Sequence, residues 1–114
     1  MKLVLTYATV IRQSIHTKEQ LLHLLAENQK TIRSFGVKDL NLFGSFACNR
    51  GITDDSDIDL LVDFEDGKKN YDNFIELNFF LEEITGRKVE LLTRQSLSKY
   101  IGPHIIKQLE HVSL

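Results

Sequence analysis

The chain has 114 residues, of which 42% are hydrophobic and 26% charged, with a net charge of -2. That suffices for one domain with a real core but is short for an enzyme holding two substrates unaided. With no basic excess, non-specific nucleic-acid binding is not expected, and no stretch nears the roughly 18 apolar residues of a membrane helix. The one cysteine, Cys48, has no partner for an internal disulfide, which fits a reducing compartment, so a cytoplasmic location is expected.

The opening MKLVLTYATVI pairs a lysine with a short apolar run, but Thr6, Tyr7 and Thr9 interrupt it, Arg12 follows, and no small-residue cleavage site stands nearby. Residues 1–16 are therefore expected to be an extension, either an extra strand or a loosely packed arm, ahead of a domain over 17–114. Thr17-Lys-Glu-Gln20 has the spacing of a capping box, and Leu21, Leu22, Leu25, Ile32 and Phe35 recur at helical intervals. One helix is expected from about 17 to 35, closed by Gly36. VKDLNLF reads as a strand that runs into a Gly44-Ser45 turn, and residues 46–56 read as loop with room for one helical turn. DIDLLVDF is nearly all apolar past its first residues, as a strand covered on both sides and central in a sheet should be. After the polar GKKN, Tyr71, Phe74, Leu77, Leu81 and Ile84 mark one face of a helix ending at Gly86, a face that cannot hold both Phe79 and Phe80. RKVELLT is a third strand, and Gly102-Pro103 opens a closing helix with proline where its missing amide costs least.

Three features converge on chemistry. Asp57 and Asp59 stand one residue apart in a strand, so their side chains point the same way, roughly 6 to 7 Å apart. Such a pair, partly buried, repels itself unless a proton or cation intervenes. If the third strand lies beside the second, about 4.8 Å away, Glu90 reaches the space in front of both aspartates. Three hard oxygen ligands select Mg²⁺ or Mn²⁺, and two such ions about 3.5 to 4 Å apart can clamp the attacking and leaving oxygens of a phosphoryl transfer. Gly44 has no Cβ to keep a polyphosphate off the backbone, and Ser45 adds a hydroxyl donor to the loop amides. The set fits a nucleoside triphosphate.

Other readings of these residues are weaker. Asp55, Asp57 and Asp59 match the first three ligand positions of a calcium loop, but Leu60 stands where that loop needs glycine. Asp54, Asp63, Glu65 and Asp66 read as loop and turn acids. His16, His23, His104 and His111 lack metal-protease spacing, and Cys48 reads as a small filler. Lys68, Lys69, Arg87 and Lys88 read as solvated turn charges, the last two close enough to the third strand to help with a triphosphate.

GSFACNRGITDDSDIDLLVDF resembles the G-S-x-A-R-G, spacer, S-D-x-D signature of the minimal nucleotidyltransferases in the DNA polymerase beta superfamily, and RKVELLT resembles their third-carboxylate strand. The resemblance runs from about residue 20 to near the C-terminus. It implies an α/β (α+β) fold, a small mixed, twisted sheet with helices mainly on one face and the site at an exposed edge of a cleft. It further implies that Asp57, Asp59 and Glu90 bind two Mg²⁺ or Mn²⁺ ions and carry catalysis, and that Gly44, Ser45 and Arg50 bind the nucleotide, ATP. Minimal members of this kind resemble the antitoxin half of HEPN/MNT pairs, which implies AMP transfer to a tyrosine of a small helical HEPN-type partner. The chain departs from the family pattern in two ways. Cys48-Asn49 intervene before Arg50-Gly51, and the third acid is Glu90 where aspartate is usual, an added methylene able to move the carboxylate by about 1 Å. The alternative is a catalytically weakened module of the same fold that neutralises its partner by binding.

Overall fold

Residues 15–114 are described by a computed structural model. The extension expected over 1–16 lies, apart from Ile15 and His16, outside the described residues. The described chain runs through helices α1 (Lys18–Glu27) and α2 (Gln29–Ser34), strand β1 (Val37–Phe43), helix α3 (Gly44–Cys48), strand β2 (Ile58–Phe64), helix α4 (Tyr71–Thr85) and strand β3 (Val89–Leu92). A 3-10 turn at Arg94–Ser96, helix α5 (Gly102–Gln108) and a two-residue strand β4 (Glu110–His111) complete it.

The four strands lie in the order β3-β2-β1-β4. β1 pairs antiparallel with β2 and β4, and β2 pairs parallel with β3, so the sheet is mixed and β2 is central, as its apolar run requires. A parallel pair needs a crossover, and α4 supplies it. Alternation then sorts the side chains. Leu40 and Leu42 of β1, Ile58, Leu60 and Val62 of β2, and Val89 and Leu91 of β3 share one face and form a single core with Leu21 and Leu25 of α1, Ile32 of α2 and Leu77 and Leu81 of α4. The helices expected on one face are there. Asn41, Asp59, Asp63 and Glu90 are left for the opposite face.

The helix expected over 17–35 is two helices. Thr17 makes the capping box, its side chain accepting from the Gln20 amide at 3.1 Å, but Asn28 breaks the run with φ -106° and ψ 16°. Its side-chain amide donates to the Leu24 carbonyl at 2.9 Å, the competition with the backbone that makes asparagine a poor interior helix residue. The apolar spacing continues across the break, from Leu25 to Ile32, which hid it. Gly36 closes the pair at φ +85°, and Gly86 closes α4 at φ +70°. Among the described residues no helix is long and apolar enough to cross a membrane.

The two adjacent phenylalanines of α4 part company. Phe80 packs on Phe35 of the α2 end, with ring centroids 5.8 Å apart, whereas Phe79 is 63% exposed. Phe80→Ala should therefore cost about 2 kcal/mol, part of the full core value because the ring is partly buried. Phe79→Ala should stay within about 0.5 kcal/mol of the parent. Urea denaturation midpoints of the two variants test this, and equal losses would contradict the packing.

Candidate active site

β1 ends at Phe43, which stands opposite Asp59 in the antiparallel register. The next residue, Gly44, turns the chain out of the sheet at φ +75° and opens α3. Its place is tight for a reason the sequence did not suggest. A Cβ added there would collide with Asp59 Oδ2 and lie 3.1 Å from Asp59 Cγ. Glycine is thus needed first to make room for the carboxyl, and only then for any ligand. Ser45 follows, half-buried, in a first turn that no side chain caps. Phe46 is fully buried and anchors the turn in the core.

Asp59 and Glu90 are register partners across the parallel β2–β3 pair, side by side on one face of the sheet. Carboxyl groups so placed can hydrogen-bond to each other only while one of them holds a proton. Burial, then the hydrogen bond and negative charge of Glu90, then the charge of Asp57, push the Asp59 carboxyl up to about 6. Asp57 is exposed, one residue before β2 begins. It acts on Asp59 through charge rather than contact. Among the described residues, no three His, Cys, Asp or Glu side chains already close around one point as metal ligands.

Arg50 lies in the loop expected for it, whereas Arg87 does not lie where the sequence put it. Asn49 ends α3 in the left-handed conformation, φ 55°, and its side chain accepts from the Lys18 amide at 3.0 Å and reaches Glu19 at 3.4 Å. The two-residue departure from the family pattern is therefore a helix cap docked on α1. Arg50 follows it exposed, its backbone amide bonded to the Ser45 carbonyl at 3.3 Å and its guanidinium in no salt bridge or hydrogen bond among the described residues. Arg87, expected to be a solvated turn charge, is instead part-buried and spends its guanidinium on main-chain carbonyls, those of Thr53 and Ser56 at 2.8 Å each. No local signal marks it, because its partners are more than thirty residues away in sequence.

Comparison with known proteins decides the family. The family model described as "Nucleotidyltransferase domain" matches residues 18–112. The chain belongs to this family. The nucleotidyltransferase chain is 34% identical over 97 residues to protein adenylyltransferase MntA of Thermococcus cleftensis, a match covering 84% of this chain and 96% of the relative. Among solved structures, a candidate minimal nucleotidyltransferase superposes with a TM-score of 0.71 at 26% identity, covering 89% of this chain and 99% of that one. A chain from a toxin–antitoxin crystal structure with AMP-PNP, 22% identical, shares the fold with a TM-score of 0.58 over 84% of this chain and 72% of that one.

The donor set of this nucleotidyltransferase fits the hard divalent cation that the resemblance implies. The carboxyl groups of Asp57 and Glu90 that act on Asp59 are hard oxygen donors, and burial together with these negative neighbours raises the Asp59 carboxyl, an effect that a cation would oppose.

Two outcomes follow from this geometry. Gly44→Ala must displace the Asp59 carboxyl and strain a left-handed backbone, so it should lower stability by about 1 to 3 kcal/mol. Denaturant titration checks this, and an unchanged midpoint would show that Asp59 does not need the space. The second concerns pH. Asp59 is raised in the folded chain from 3.8 to about 6, so the stability it contributes is complete below pH 3.8 and is lost as pH rises through about 6. The full shift corresponds to about 3 kcal/mol, and solvent screening of this partly exposed group reduces it to about 1 kcal/mol. In chelator-treated protein, Asp59→Asn should gain that amount over the parent at pH 7.5, and the gain should shrink on going to pH 5. A pH-independent difference would refute the assignment.

Proposed function

We propose that the protein transfers AMP from ATP to a hydroxyl group of a protein partner, a small helical HEPN-type protein in the cytoplasm whose modified residue is a tyrosine. The observation that carries this is the Asp59–Glu90 rung with Asp57 before it and Gly44 packed on the Asp59 carboxyl, found in a nucleotidyltransferase chain. Partner and reaction are taken over from the resemblance. They are supported by the adenylyltransferase name of the Thermococcus relative and by the toxin–antitoxin structure with AMP-PNP.

In the proposed reaction the acceptor oxygen attacks the α-phosphorus of ATP, the bond from that phosphorus to the bridging oxygen of the β-phosphate breaks, and pyrophosphate leaves. Asp57, Asp59 and Glu90 would hold two Mg²⁺ or Mn²⁺ ions, which when bound lower the proton affinity of the acceptor hydroxyl and stabilise the departing pyrophosphate. The Glu90 carboxylate, on the exposed end of the rung, takes the acceptor proton. Gly44, Ser45 and the uncapped amides of their turn receive the β- and γ-phosphates. Arg50, whose guanidinium bonds to no described residue, would add a phosphate donor once the Asn49 cap opens.

One observation favours the second reading, a module that neutralises its partner by covering it. The Asn49 cap ties the loop to α1, so Arg50 reaches the phosphates only if that cap opens. Incubation with Mg²⁺, ATP and the protein encoded next to this one should add AMP mass to that protein. Asp57→Asn and Asp59→Asn should each lower the rate by at least about 100-fold while leaving the complex intact. If both variants modify the partner as well as the parent does, the catalytic assignment is wrong. If the parent adds no AMP yet neutralises the partner, the covering module is right.

A further inference from the structure

Arg87 stands between the Gly86 cap of α4 and the start of β3. Its Nε and Nη2 both donate to the Ile15 carbonyl, at 3.1 and 2.9 Å, and its Nη1 donates to the carbonyls of Thr53 and Ser56 at 2.8 Å each. Its Cζ lies 5.1 Å from the centre of the Phe46 ring. Among the described residues it forms no salt bridge. A part-buried cation without a carboxylate partner loses solvation, and here the return is geometric: a planar fork with five N–H groups can grip several carbonyls at once.

The carbonyls it grips are not arbitrary. That of Ser56 belongs to the peptide unit carrying the Asp57 amide, so the bond fixes the plane from which Asp57 projects. Thr53 and Ser56 also close a small turn of their own, the Ser56 amide donating to the Thr53 carbonyl at 3.2 Å and the Thr53 amide to Ser56 Oγ at 2.8 Å. The neighbouring Lys88 carbonyl accepts from the Ile58 amide at 2.9 Å, which locks the entry of β2 to that of β3. Phe46 lies two residues past Gly44. One guanidinium thus touches the segments that deliver Asp57, Glu90 and Gly44.

We infer that Arg87 is a positioning residue which, by gripping the Thr53 and Ser56 carbonyls while stacking on Phe46, sets the approach of Asp57 to the Asp59–Glu90 pair. Its kinetic consequence rests on the transferase proposal; its structural role does not. Lysine keeps the charge but has neither the fork nor the flat face for stacking, so Arg87→Lys is the informative variant. Ile32→Ala, a core truncation on α2, controls for lost stability, with every protein assayed at a temperature where it is fully folded. In Arg87→Lys, amide hydrogen exchange at Thr53 and Ser56 should accelerate about tenfold or more, and the Mg²⁺ concentration for half-maximal AMP transfer should rise about tenfold, the usual cost of removing a group that orients a ligand. Ile32→Ala should change neither. Exchange at those two amides that stays at the parent rate, or that accelerates equally in Ile32→Ala, overturns the inference. So does faster exchange with an unaltered Mg²⁺ dependence in an active protein. If the parent transfers no AMP at all, the transferase proposal fails, and hydrogen exchange alone decides the role of Arg87.

Discussion

Two carboxyl groups on one rung of a parallel strand pair are the constraint to which the rest of the structure answers. Like charges directly abreast in a sheet repel, and here the pair is partly withdrawn from water as well. The chain has no freedom to turn one of them away. Ile58, Leu60 and Val62 fill one face of β2, and a strand of period two then commits Asp59 to the other face. Val89 and Leu91 commit Glu90 in the same way. The core is what forces the acids together, and the raised Asp59 carboxyl is the sign of what that costs without a counter-ion.

Around this rung, the supporting parts are unusual mainly in what they are made of. Gly44 serves by absence, leaving the volume that the Asp59 carboxyl occupies. Asn49 uses a left-handed backbone and both ends of its amide to couple the turn after β1 to the first turn of α1. Lys18 in that same turn pairs with Glu110 of β4 at 3.1 Å, so α1 also holds the far edge of the sheet. The site is braced by Asn49 on the Lys18 amide, by the space Gly44 leaves, and by Arg87 on main-chain carbonyls.

Much of this was legible in the sequence. Alternation and apolar runs gave β1, β2 and β3, and the lateral meeting of Glu90 with Asp59 needed only the assumption that β3 lies beside β2. The break at Asn28 was not legible, because local side-chain bonding competes with helix continuation without disturbing the apolar period. β4 has only two residues, too few to show any alternation. The short helix begins at Gly44 itself, where a plain turn was expected before any helical residues, since glycine at positive φ still permits the following residues to coil. Arg87 illustrates the hardest case. A Gly-Arg-Lys stretch after a helix looks like solvent-facing punctuation, and only the folded chain brings to it the carbonyls of Ile15, Thr53 and Ser56.

The crossover through α4 has a consequence in time. Asp57 and Asp59 leave the ribosome well before Glu90, and the residues between them are those that must fold across the sheet before β3 can dock beside β2. Until that docking the aspartates lack their third acid, and Arg87, also late, has not yet bound the earlier loop. A nascent or truncated chain ending inside α4 carries both aspartates and the Gly44 turn but not the strand that brings Glu90 beside them, so the rung forms only when the last major strand closes.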